Sequence, residues 1–461
     1  MKDVVENNKK FHIVSLGCPK NLVDSEMMLG KLSKDGYSHT DNAETADTII
    51  VNTCSFIEDS RKESVETIME MAALKDSDKN KKIVVTGCLP QRYKDDLADS
   101  LPEADIVIGS GEFQNITEIL KESDEKPGQQ IRHYHLPTYL QTEETPRISS
   151  GPRHSAYLKI SEGCKKRCAF CAIPKIRGNL QSRSLDGVIS EAKLLVGSGA
   201  KEIIVISHDF TDYGWDLARK DDTRRESPYQ LLKELSEVEG LDWIRVLYLY
   251  PDGIDEKLIQ LFKEKKNLLP YFDMPLQHIN NEVLKRMNRK MTKQEIQVAL
   301  NLIRKELPEA VIRTQFIVGF PGETEEQFEE LLDFVEETRF DRVGCFMYSP
   351  EESTAGGRMT DQLDQDTKQD RHDRLMALQK DISNEMHQRF VGKILDVIIE
   401  GVSEESELLL QGRMTGQAPE IDGVVYINQG TAAVGEIIKV KITDSHDYDL
   451  VGEIQQDQIQ L

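Results

Sequence analysis

Two successive series of alternating strand and helix patterns run through most of this 461-residue chain and limit the folds open to it. In the first series, the strand-like runs are Phe11 to Leu16, Thr48 to Asn52, Lys82 to Thr86 and Asp105 to Ile108. Strands that alternate with helices form parallel sheets, because each helix returns the chain to the same edge. The pattern therefore predicts an amino-terminal α/β domain with a parallel sheet over residues 10–122.

A polar stretch with prolines at several positions follows and is predicted to be a linker, residues 123–153. The second series predicts a partial barrel of the (β/α)6 type over residues 154–391. Its strand-like runs are Ala156 to Ile160, Glu202 to Ser207, Trp243 to Tyr248, Tyr271 to Met274, Val311 to Val318 and Arg342 to Met347. In parallel barrels the chemistry lies at the carboxyl ends of the strands.

Beyond these strands, apolar residues three or four apart predict an amphipathic helix from Gln369 to Phe390, with Gly392 as its stop. The pattern then changes to short strands with glycine-rich turns. They predict a small antiparallel β-barrel over residues 392–461. The chain is thus a multidomain α/β protein with a carboxyl-terminal barrel.

Three cysteines, Cys164, Cys168 and Cys171, follow the first strand of the second series with the spacing CxxxCxxC. An iron–sulfur cubane is normally held by four cysteines, so a set of three predicts a cluster with one iron open to substrate or cofactor. The alternatives are a zinc site or chance. A zinc site would need a fourth cysteine or histidine nearby, and none follows Cys171 for more than thirty residues.

A second set of three cysteines lies in the first series. Cys18, Cys54 and Cys88 each occupy the carboxyl end of a predicted strand, and in a parallel sheet those ends share one edge. We expect them to converge into a second open three-thiolate site. The alternative is that each is an ordinary buried residue. Cys345 has no partner at ligand spacing and is assigned to the barrel core.

With these motifs, residues 10–461 resemble the methylthiotransferases, radical S-adenosylmethionine (SAM) enzymes with a cluster domain, a radical SAM domain and a TRAM domain. One branch of that family modifies a tRNA adenosine beside the anticodon, and the other modifies an aspartate of ribosomal protein uS12. The segments Ser15 to Asn21 and Tyr348 to Thr354 resemble the second branch, whereas the tRNA branch usually has Gln-Met at Pro19-Lys20. A non-catalytic iron–sulfur carrier is the alternative from another class.

The resemblance implies two [4Fe-4S] clusters and SAM as cofactors. The Cys164, Cys168 and Cys171 cluster would cleave SAM to a radical that abstracts a hydrogen from the aspartate β-carbon, and the Cys18, Cys54 and Cys88 cluster would deliver the methylthio group. Five further residues are implied in SAM binding: Phe170 beside the adenine, His208 near the methionine amino end, and Gln277, Arg313 and Gln315 at the ribose and carboxylate. Phe170 and Arg313 each have a structural alternative, as a core aromatic and as a structural charge.

Charge favours a protein substrate. The chain carries a net charge of −23, and residues 392–461 contain four basic and thirteen acidic side chains. A barrel that holds tRNA is expected to be basic, whereas one that docks a basic ribosomal protein is expected to be acidic. Direct nucleic-acid binding is therefore not favoured, although acidity for solubility alone remains an alternative.

Two further expectations concern location and the source of electrons. No leader, bilayer-length apolar run or paired cysteine pattern is evident, so we expect a cytoplasmic protein without a membrane partner. Basic residues crowd the loop that carries Cys164. We expect this face either to be simply solvated or to receive an acidic electron donor such as flavodoxin; its members are Lys165, Lys166, Arg167, Lys175, Arg177 and Arg183.

Overall fold

The computed structural model describes residues 9–76, 78–138, 140–142, 145–217 and 226–455. The last six residues of the predicted carboxyl-terminal domain lie outside this range. None of the helices in the described part of the chain combines the length and apolar character that crossing a bilayer requires.

The amino-terminal domain contains β1 (Lys10–Ser15), α1 (Pro19–Lys34), β2 (Ser38–His39), β3 (Thr48–Thr53), α2 (Glu58–Ala73), β4 (Lys82–Gly87), α3 (Cys88–Asp99), β5 (Ile106–Ile108), α4 (Ile116–Glu125) and β6 (Ile131–His133). Its strands form one parallel sheet in the order β2-β1-β3-β4-β5-β6, which confirms the predicted fold. Every residue of the central strand β3 is buried, as expected for a parallel sheet covered on both faces.

The predicted linker, residues 123–153, contains the end of α4 and a strand of this sheet. Strand β6 pairs in parallel with β5 from Ile106↔Ile131 to Ile108↔His133. A strand of three residues is too short to show a period of two against polar surroundings, so its pattern was not visible in the sequence.

The central domain, which the sequence predicts to be a radical SAM domain, contains β7 (Ser155–Lys159), β8 (Ser161–Glu162), α5 (Ile173–Ile176), β9 (Gln181–Ser182), α6 (Leu185–Gly197), β10 (Glu202–Ile206), α7 (Pro228–Leu235), β11 (Trp243–Val246), α8 (Glu256–Glu264), β12 (Tyr271–Gln277), α9 (Asn281–Arg286), α10 (Lys293–Glu306), β13 (Val311–Val318), α11 (Glu325–Thr338), β14 (Arg342–Met347) and α12 (Gln365–Gln388). Six of its strands form two parallel sheets, β11-β10-β7 and β12-β13-β14. A parallel bridge between Ile244 and Leu268 joins them at the β11 edge. The result is the predicted open barrel.

The barrel strands separate an apolar outer layer from a polar interior. On β13, Ile312, Phe316 and Val318 pack into the core beneath the helices. Between them, Arg313 donates to Asp273 on the neighbouring strand β12. Because successive strand side chains point to opposite faces, this alternation places the charged residues inside the barrel.

Helix α12 starts four residues before the predicted boundary at Gln369 and ends two residues before Phe390. The side chain of Asp364 accepts from the backbone NH of Thr367 at 2.8 Å and caps the first turn. The apolar spacing begins at Leu375, so it does not reveal this polar first turn.

The carboxyl-terminal domain is a closed barrel of β15 (Ile394–Ser403), β16 (Ser406–Met414), β17 (Val425–Gln429), β18 (Ile437–Ser445) and β19 (Leu450–Ile454), in the order β15-β16-β17-β19-β18. The prediction that it is antiparallel is wrong for one pair, since β17 and β19 run parallel. Five strands in a closed ring cannot all alternate in direction, so at least one parallel pair is unavoidable.

Several polar contacts join the carboxyl-terminal domain, which the sequence predicts to be a TRAM domain, to the barrel interior. Arg413 of β16 donates to the buried carboxylate of Glu202, the first residue of β10, at 2.6 Å. Asp422, in the loop before β17, accepts from the hydroxyl of Tyr271 at 2.7 Å. Glu202 and Tyr271 are both first residues of their strands. The TRAM domain therefore covers the amino-terminal end of the barrel and leaves the carboxyl ends of the strands to the amino-terminal domain.

The amino-terminal domain meets the barrel through buried ion pairs. Lys159 of β7 bonds Asp24 of α1 at 2.5 Å. Glu351, in the loop after β14, bonds Arg61 of α2 at 2.6 Å and also pairs with Arg92 of α3. These contacts fix the edge that carries Cys18, Cys54 and Cys88 relative to the radical SAM domain.

Candidate active site

The three amino-terminal cysteines lie at the carboxyl ends of adjacent strands β1, β3 and β4. Cys18 precedes α1, Cys54 follows β3 directly, and Cys88 begins α3. Burial raises the pKa of the Cys88 thiol to about 12, and the nearby thiols of Cys18 and Cys54 add to the rise. The structure thus brings the three side chains together, as the strand ends predict.

Two glycines allow these loops to approach each other. Gly17 has φ +88°, and a Cβ placed on it would lie 2.8 Å from the Sγ of Cys54. Gly87 has φ +102°, and a Cβ there would lie 2.4 Å from the side-chain oxygen of Asn52. Both backbones favour glycine by conformation, and both sites lack room for a side chain.

Asn21 ties the three cysteine loops together. Its amide nitrogen donates at 3.0 Å to the carbonyl of Leu16, before Cys18, and at 3.0 Å to the carbonyl of Thr53, before Cys54. Its amide oxygen lies 3.6 Å from the Sγ of Cys88. One side chain in the first turn of α1 therefore contacts each of the three segments.

Arg177 brings a positive charge to the same place from the radical SAM domain. Its guanidinium lies 3.4 Å from the Sγ of Cys88, also bonds Asn21, and pairs with Asp24 at 2.6 Å. The residue is 1% exposed. A buried cation at a set of thiols favours their thiolate form, which is the form that binds metal.

The second cysteine loop follows β8. Gly163 opens it with φ +67°, and a Cβ there would meet the carbonyl of Asn179 at 2.1 Å. The backbone NH of Cys164 donates to the carbonyl of Gly178 at 3.2 Å, and that of Ala169 donates to Met287 at 2.8 Å. The loop is therefore fixed from both sides by backbone bonds.

Burial has the largest effect on the pKa of two thiols in this loop. It raises the pKa of Cys164 to about 11 and that of Cys171 to about 12. Arg289 opposes this effect at Cys171 and places Nη1 3.9 Å from the Sγ of Cys168. Binding of a metal would therefore have to displace protons from these thiols, as thiolate ligation requires.

The two cysteine sets adjoin each other. The side chain of Cys88 packs with Ala172 and Ile176 in a small apolar cluster, and Ala172 is the residue next to Cys171. The hydroxyl of Ser110 donates to the carbonyl of Ile176 at 3.0 Å and reinforces the junction. A cysteine of the first set therefore lies in one apolar cluster with the immediate neighbour of a cysteine of the second.

The donor chemistry fits iron–sulfur clusters with three protein ligands. All six thiols are free. Within the described ranges, no three Cys, His, Asp or Glu side chains meet closely enough to share one metal ion. A cubane places each thiolate on a different iron, so its ligands need not meet at one point.

Comparison with known proteins agrees with this arrangement. Residues 10–109 match the family described as uncharacterized protein family UPF0004, residues 158–335 match the radical SAM superfamily, and residues 391–454 match the TRAM domain. The ribosomal protein uS12 methylthiotransferase RimO of Bdellovibrio bacteriovorus is 66% identical over 454 residues, which cover 98% of this chain and 99% of that protein. The RimO proteins of Geobacter sulfurreducens (48% identical; 97% and 98% covered) and Clostridioides difficile (46% identical; 96% and 98% covered) are also similar.

The chain belongs to the RimO family. Among solved structures, the radical SAM methyltransferase TsrM of Kitasatospora setae matches with a TM-score of 0.54 at 16% identity over 76% of this chain and 77% of that one. The cobalamin-dependent radical SAM enzyme OxsB matches with a TM-score of 0.51 at 14% identity, over 82% and 56%. These two structures support the fold alone. The radical SAM domain gives this RimO-family chain an iron–sulfur cluster and SAM as cofactors.

The structure places the predicted SAM-binding residues at different depths. Phe170, next to Cys171, packs half-buried against an apolar cluster that includes Phe320 and Tyr348. His208 follows β10, and its Nδ1 is buried without a hydrogen-bond partner in the described structure. Gln277 ends β12 with φ +74°, a strained conformation for a residue with a side chain.

Arg313 and Gln315 lie deeper in the barrel. Arg313 donates to Asp273 at 2.8 Å, and the amide oxygen of Gln315, turned toward the guanidinium, accepts from Arg313 at 2.6 Å. Arg313 is the third of eight residues in β13. The roles of these two residues and of Phe170, His208 and Gln277 in SAM binding stay predictions for this RimO-family chain.

The basic face around the cysteine loop is smaller than the sequence suggests. Arg177 and Arg183 are 1% and 2% exposed. Lys166 bonds Asp209 at 3.2 Å and Asp252 at 3.1 Å. Lys165 pairs with Asp212 at 2.9 Å. Of the six residues, only Arg167 and Lys175 are exposed in the described structure, because carboxylates at the barrel mouth, in α1 and in α6 pair with the others.

Sequence reasoning assigned no role to Lys20, Asn21 or Arg289. Lys20 and Asn21 lie two and three positions after Cys18, and this closeness in the chain was the available signal. Arg289 had no signal, because a turn brings it to Cys168 from a part of the chain 121 residues away.

Cys345 packs half-buried against the outer core of the barrel. Its assignment to the barrel core fits this position.

Proposed function

We propose that this protein methylthiolates the β-carbon of an aspartate in ribosomal protein uS12. The observation that carries the proposal is the cluster of Cys88 with Ala172 and Ile176, beside Cys171, because sulfur transfer and radical formation must serve one substrate atom. The RimO relatives, which are named for uS12 and match nearly the whole chain, support the choice of substrate.

We infer that the chain holds two clusters, one on Cys18, Cys54 and Cys88 and one on Cys164, Cys168 and Cys171. When bound, they and SAM would supply the one-electron chemistry that an unactivated C–H bond requires, together with the sulfur and the methyl group. The protein itself positions the cysteines that would hold these groups. Asn21 sets the geometry of the first set, Arg177 supplies a cation beside it, and burial limits the access of water to Cys88.

Charge on the TRAM domain supports a basic protein as the substrate. Arg413, one of its four basic residues, is 1% exposed and paired with Glu202, so it adds nothing to the outer surface. Three lysines remain outside, against many exposed carboxylates. An acidic surface speeds encounter with a basic ribosomal protein and repels nucleic acid. We place the reaction in the cytoplasm, where that substrate is made.

Cluster number is tested by anaerobic reconstitution with iron and sulfide. We expect about eight irons per wild-type chain, and about four in Cys18→Ala. The matched control is Cys345→Ala, which removes a cysteine outside both sets and should keep about eight. Equal iron in wild type and Cys18→Ala would refute the first cluster.

Substrate choice is tested by incubating the reconstituted protein with SAM, reductant and either uS12 or unmodified tRNA. We expect a methylthio group on uS12 by mass spectrometry. Incorporation only into tRNA would refute the proposal. Reduced protein that cleaves no SAM would favour an electron carrier.

Docking of an acidic electron donor such as flavodoxin also remains a proposal, now limited to the exposed residues of the loop. Lys175→Glu should slow reduction by flavodoxin and leave reduction by dithionite unchanged. Lys34→Glu, on the exposed end of α1, is the control. Equal rates for Lys175→Glu and wild type would remove this interface.

A further inference from the structure

Lys20 is a buried cation without a carboxylate partner at the junction of the two cysteine sets. The residue lies in the first turn of α1, two positions after Cys18, and is 5% exposed. Within the described structure, no carboxylate lies within ion-pair distance of its Nζ. Burying a charge is costly unless it is paired, so an unpaired lysine here requires an explanation.

The neighbouring cations all have carboxylate partners. Lys159 and Arg177 share Asp24 and Glu162, at 2.5 and 3.0 Å from Lys159 and 2.6 and 3.6 Å from Arg177. The carboxylates nearby are thus already engaged by other groups. Lys20 is left as the buried cation of this described group that has no carboxylate within ion-pair distance. Burial lowers the pKa of Lys20, and the opposite charge that raises this pKa most is the thiolate form of Cys18.

Asp273 is also engaged. One of its oxygens accepts from Arg313 at 2.8 Å, and the other accepts from the backbone NH of Tyr248 at 3.0 Å. It is 0% exposed. Both oxygens of Asp273 are therefore engaged by other donors.

An aromatic ring fixes the position of the ammonium group. Nζ of Lys20 lies 3.6 Å from the centroid of the Tyr248 ring, which is within cation–π range. Tyr248 holds this position with φ +63°, a strained conformation for a residue with a Cβ. Strain of this kind persists where the surrounding structure selects one orientation. Here that orientation places the Tyr248 ring against the ammonium group of Lys20.

A second unpartnered polar group lies close by. The charge on Lys20 contributes to lowering the pKa of His208, after burial, so the two side chains are near each other. Nδ1 of His208 is buried and makes no hydrogen bond in the described structure. Lys20, beside Cys18, has no carboxylate partner, and His208, at the end of β10, has no hydrogen-bond partner at Nδ1 in the described structure. Both groups can donate to an anion.

We propose that Lys20 binds the side-chain carboxylate of the target aspartate. The inference rests on the proposed function and names the group that selects its substrate. The carboxylate carbon of aspartate is bonded directly to the β-carbon, so an ammonium that holds the carboxylate fixes the reacting carbon beside the cysteine sets. The same ammonium rejects asparagine, whose amide cannot neutralise the buried charge.

The test compares two labelled uS12 peptides that differ only by Asp or Asn at the target position. Their binding to the reconstituted protein with SAM but without reductant is measured by fluorescence anisotropy. Wild type should bind the Asp peptide about 10- to 100-fold more tightly, the range for a charge-assisted bond in a buried site. Lys20→Met should lose this preference, and Lys20→Arg should retain most of it.

Lys34→Met is the matched control, since it removes a lysine at the exposed end of the same helix and should keep the preference. Equal binding of both peptides by wild type would overturn the proposal without any variant. Equal weakening of both peptides in Lys20→Met would also overturn it, because a structural role would not depend on the substrate.

Two further readouts separate the remaining explanations. Lys20→Met should keep the iron content of wild type and its rate of SAM cleavage without peptide. Loss of iron would mean that Lys20 balances the charge of the neighbouring cluster. Slower cleavage of SAM would mean that Lys20 binds SAM. Either result overturns the proposal. If wild type modifies tRNA and not uS12, the proposed function fails. If wild type modifies uS12 and Lys20→Met still binds the Asp peptide more tightly than the Asn peptide, only the inference about Lys20 fails.

Discussion

Glu202 joins the barrel to the TRAM domain, and replacing it tests how much this junction stabilises the protein. Its carboxylate is 0% exposed and accepts from Arg245 at 2.9 Å, Arg413 at 2.6 Å and the hydroxyl of Ser155 at 2.9 Å. Glu202→Gln retains the shape and removes the charge, so two buried guanidinium groups lose their common counter-ion. Breaking a buried ion pair in this way costs about 3–5 kcal/mol.

The pKa of Glu202 gives a second value for the same interaction. Burial alone would raise this pKa, but Arg413 and Arg245 outweigh burial and hold it at about 2. A fall from the ordinary value of 4.5 to about 2 corresponds to about 3 kcal/mol, at 1.36 kcal/mol per pKa unit. The two approaches agree on the order of magnitude.

The assay is urea unfolding followed by tryptophan fluorescence. Trp243 is the register partner of Glu202 across β10 and β11 and is 5% exposed, whereas Trp215 is 54% exposed and changes less. Glu202→Gln should lower the free energy of the unfolding transition that Trp243 reports by about 3–5 kcal/mol. Glu400→Gln is the control, because Glu400 bonds the same Arg413 from a more exposed position.

The control should cost less than Glu202→Gln, because Glu400 is 22% exposed and water can replace part of its pairing, and because Arg413 keeps Glu202. A cost for Glu202→Gln no larger than that for Glu400→Gln would refute the reasoning. It would show that the guanidinium groups find other partners when the carboxylate is lost.

Three further outcomes are expected. Because the pKa of Glu202 is depressed in the folded state, its carboxylate stabilises the protein above pH 4.5, and this stabilisation is lost as the pH falls toward about 2. In acid denaturation, wild type should therefore lose its stability advantage over Glu202→Gln across that pH range. A constant difference in stability would contradict this. Gly17→Ala should lower bound iron by about half, because its Cβ would lie 2.8 Å from the Sγ of Cys54. Gly128 has a similar φ of +78° with open space around it, so Gly128→Ala is the control and should keep full iron. Equal losses of iron in the two variants would contradict the steric argument. Glu351→Gln should increase hydrogen exchange in the loop after β14 and in α2 and α3, since one buried carboxylate pairs with an arginine from each helix; unchanged exchange would mean that this clamp contributes little.

The convergence of Cys18, Cys54 and Cys88 was predictable because it depends only on strand order and direction. Apolar runs mark the strands, and parallel strands end at one edge. The strands of the radical SAM barrel followed from the same pattern. A parallel pair such as β17 and β19 was also predictable, because a closed ring of five strands requires at least one.

The partners of the charged residues were not predictable. The sequence around Arg177 and Arg183 has the composition of a solvated basic loop, yet both side chains are buried. Their counter-ions, Asp24 and Glu191, come from other helices, and Asp24 lies 153 residues away in the chain. Local composition carries no information about charge pairs of this separation.

Asn21 has a consequence for how the amino-terminal cysteine set is loaded. Its bonds to the carbonyls of Leu16 and Thr53 use only protein atoms, so they form as the domain folds. The entropy loss of ordering three loops then belongs to folding and not to the arrival of iron. Many small metal domains gain their structure only when the metal binds. In this domain, iron and sulfide are expected to enter a site that is already shaped, so the set can be emptied and refilled while the sheet stays folded.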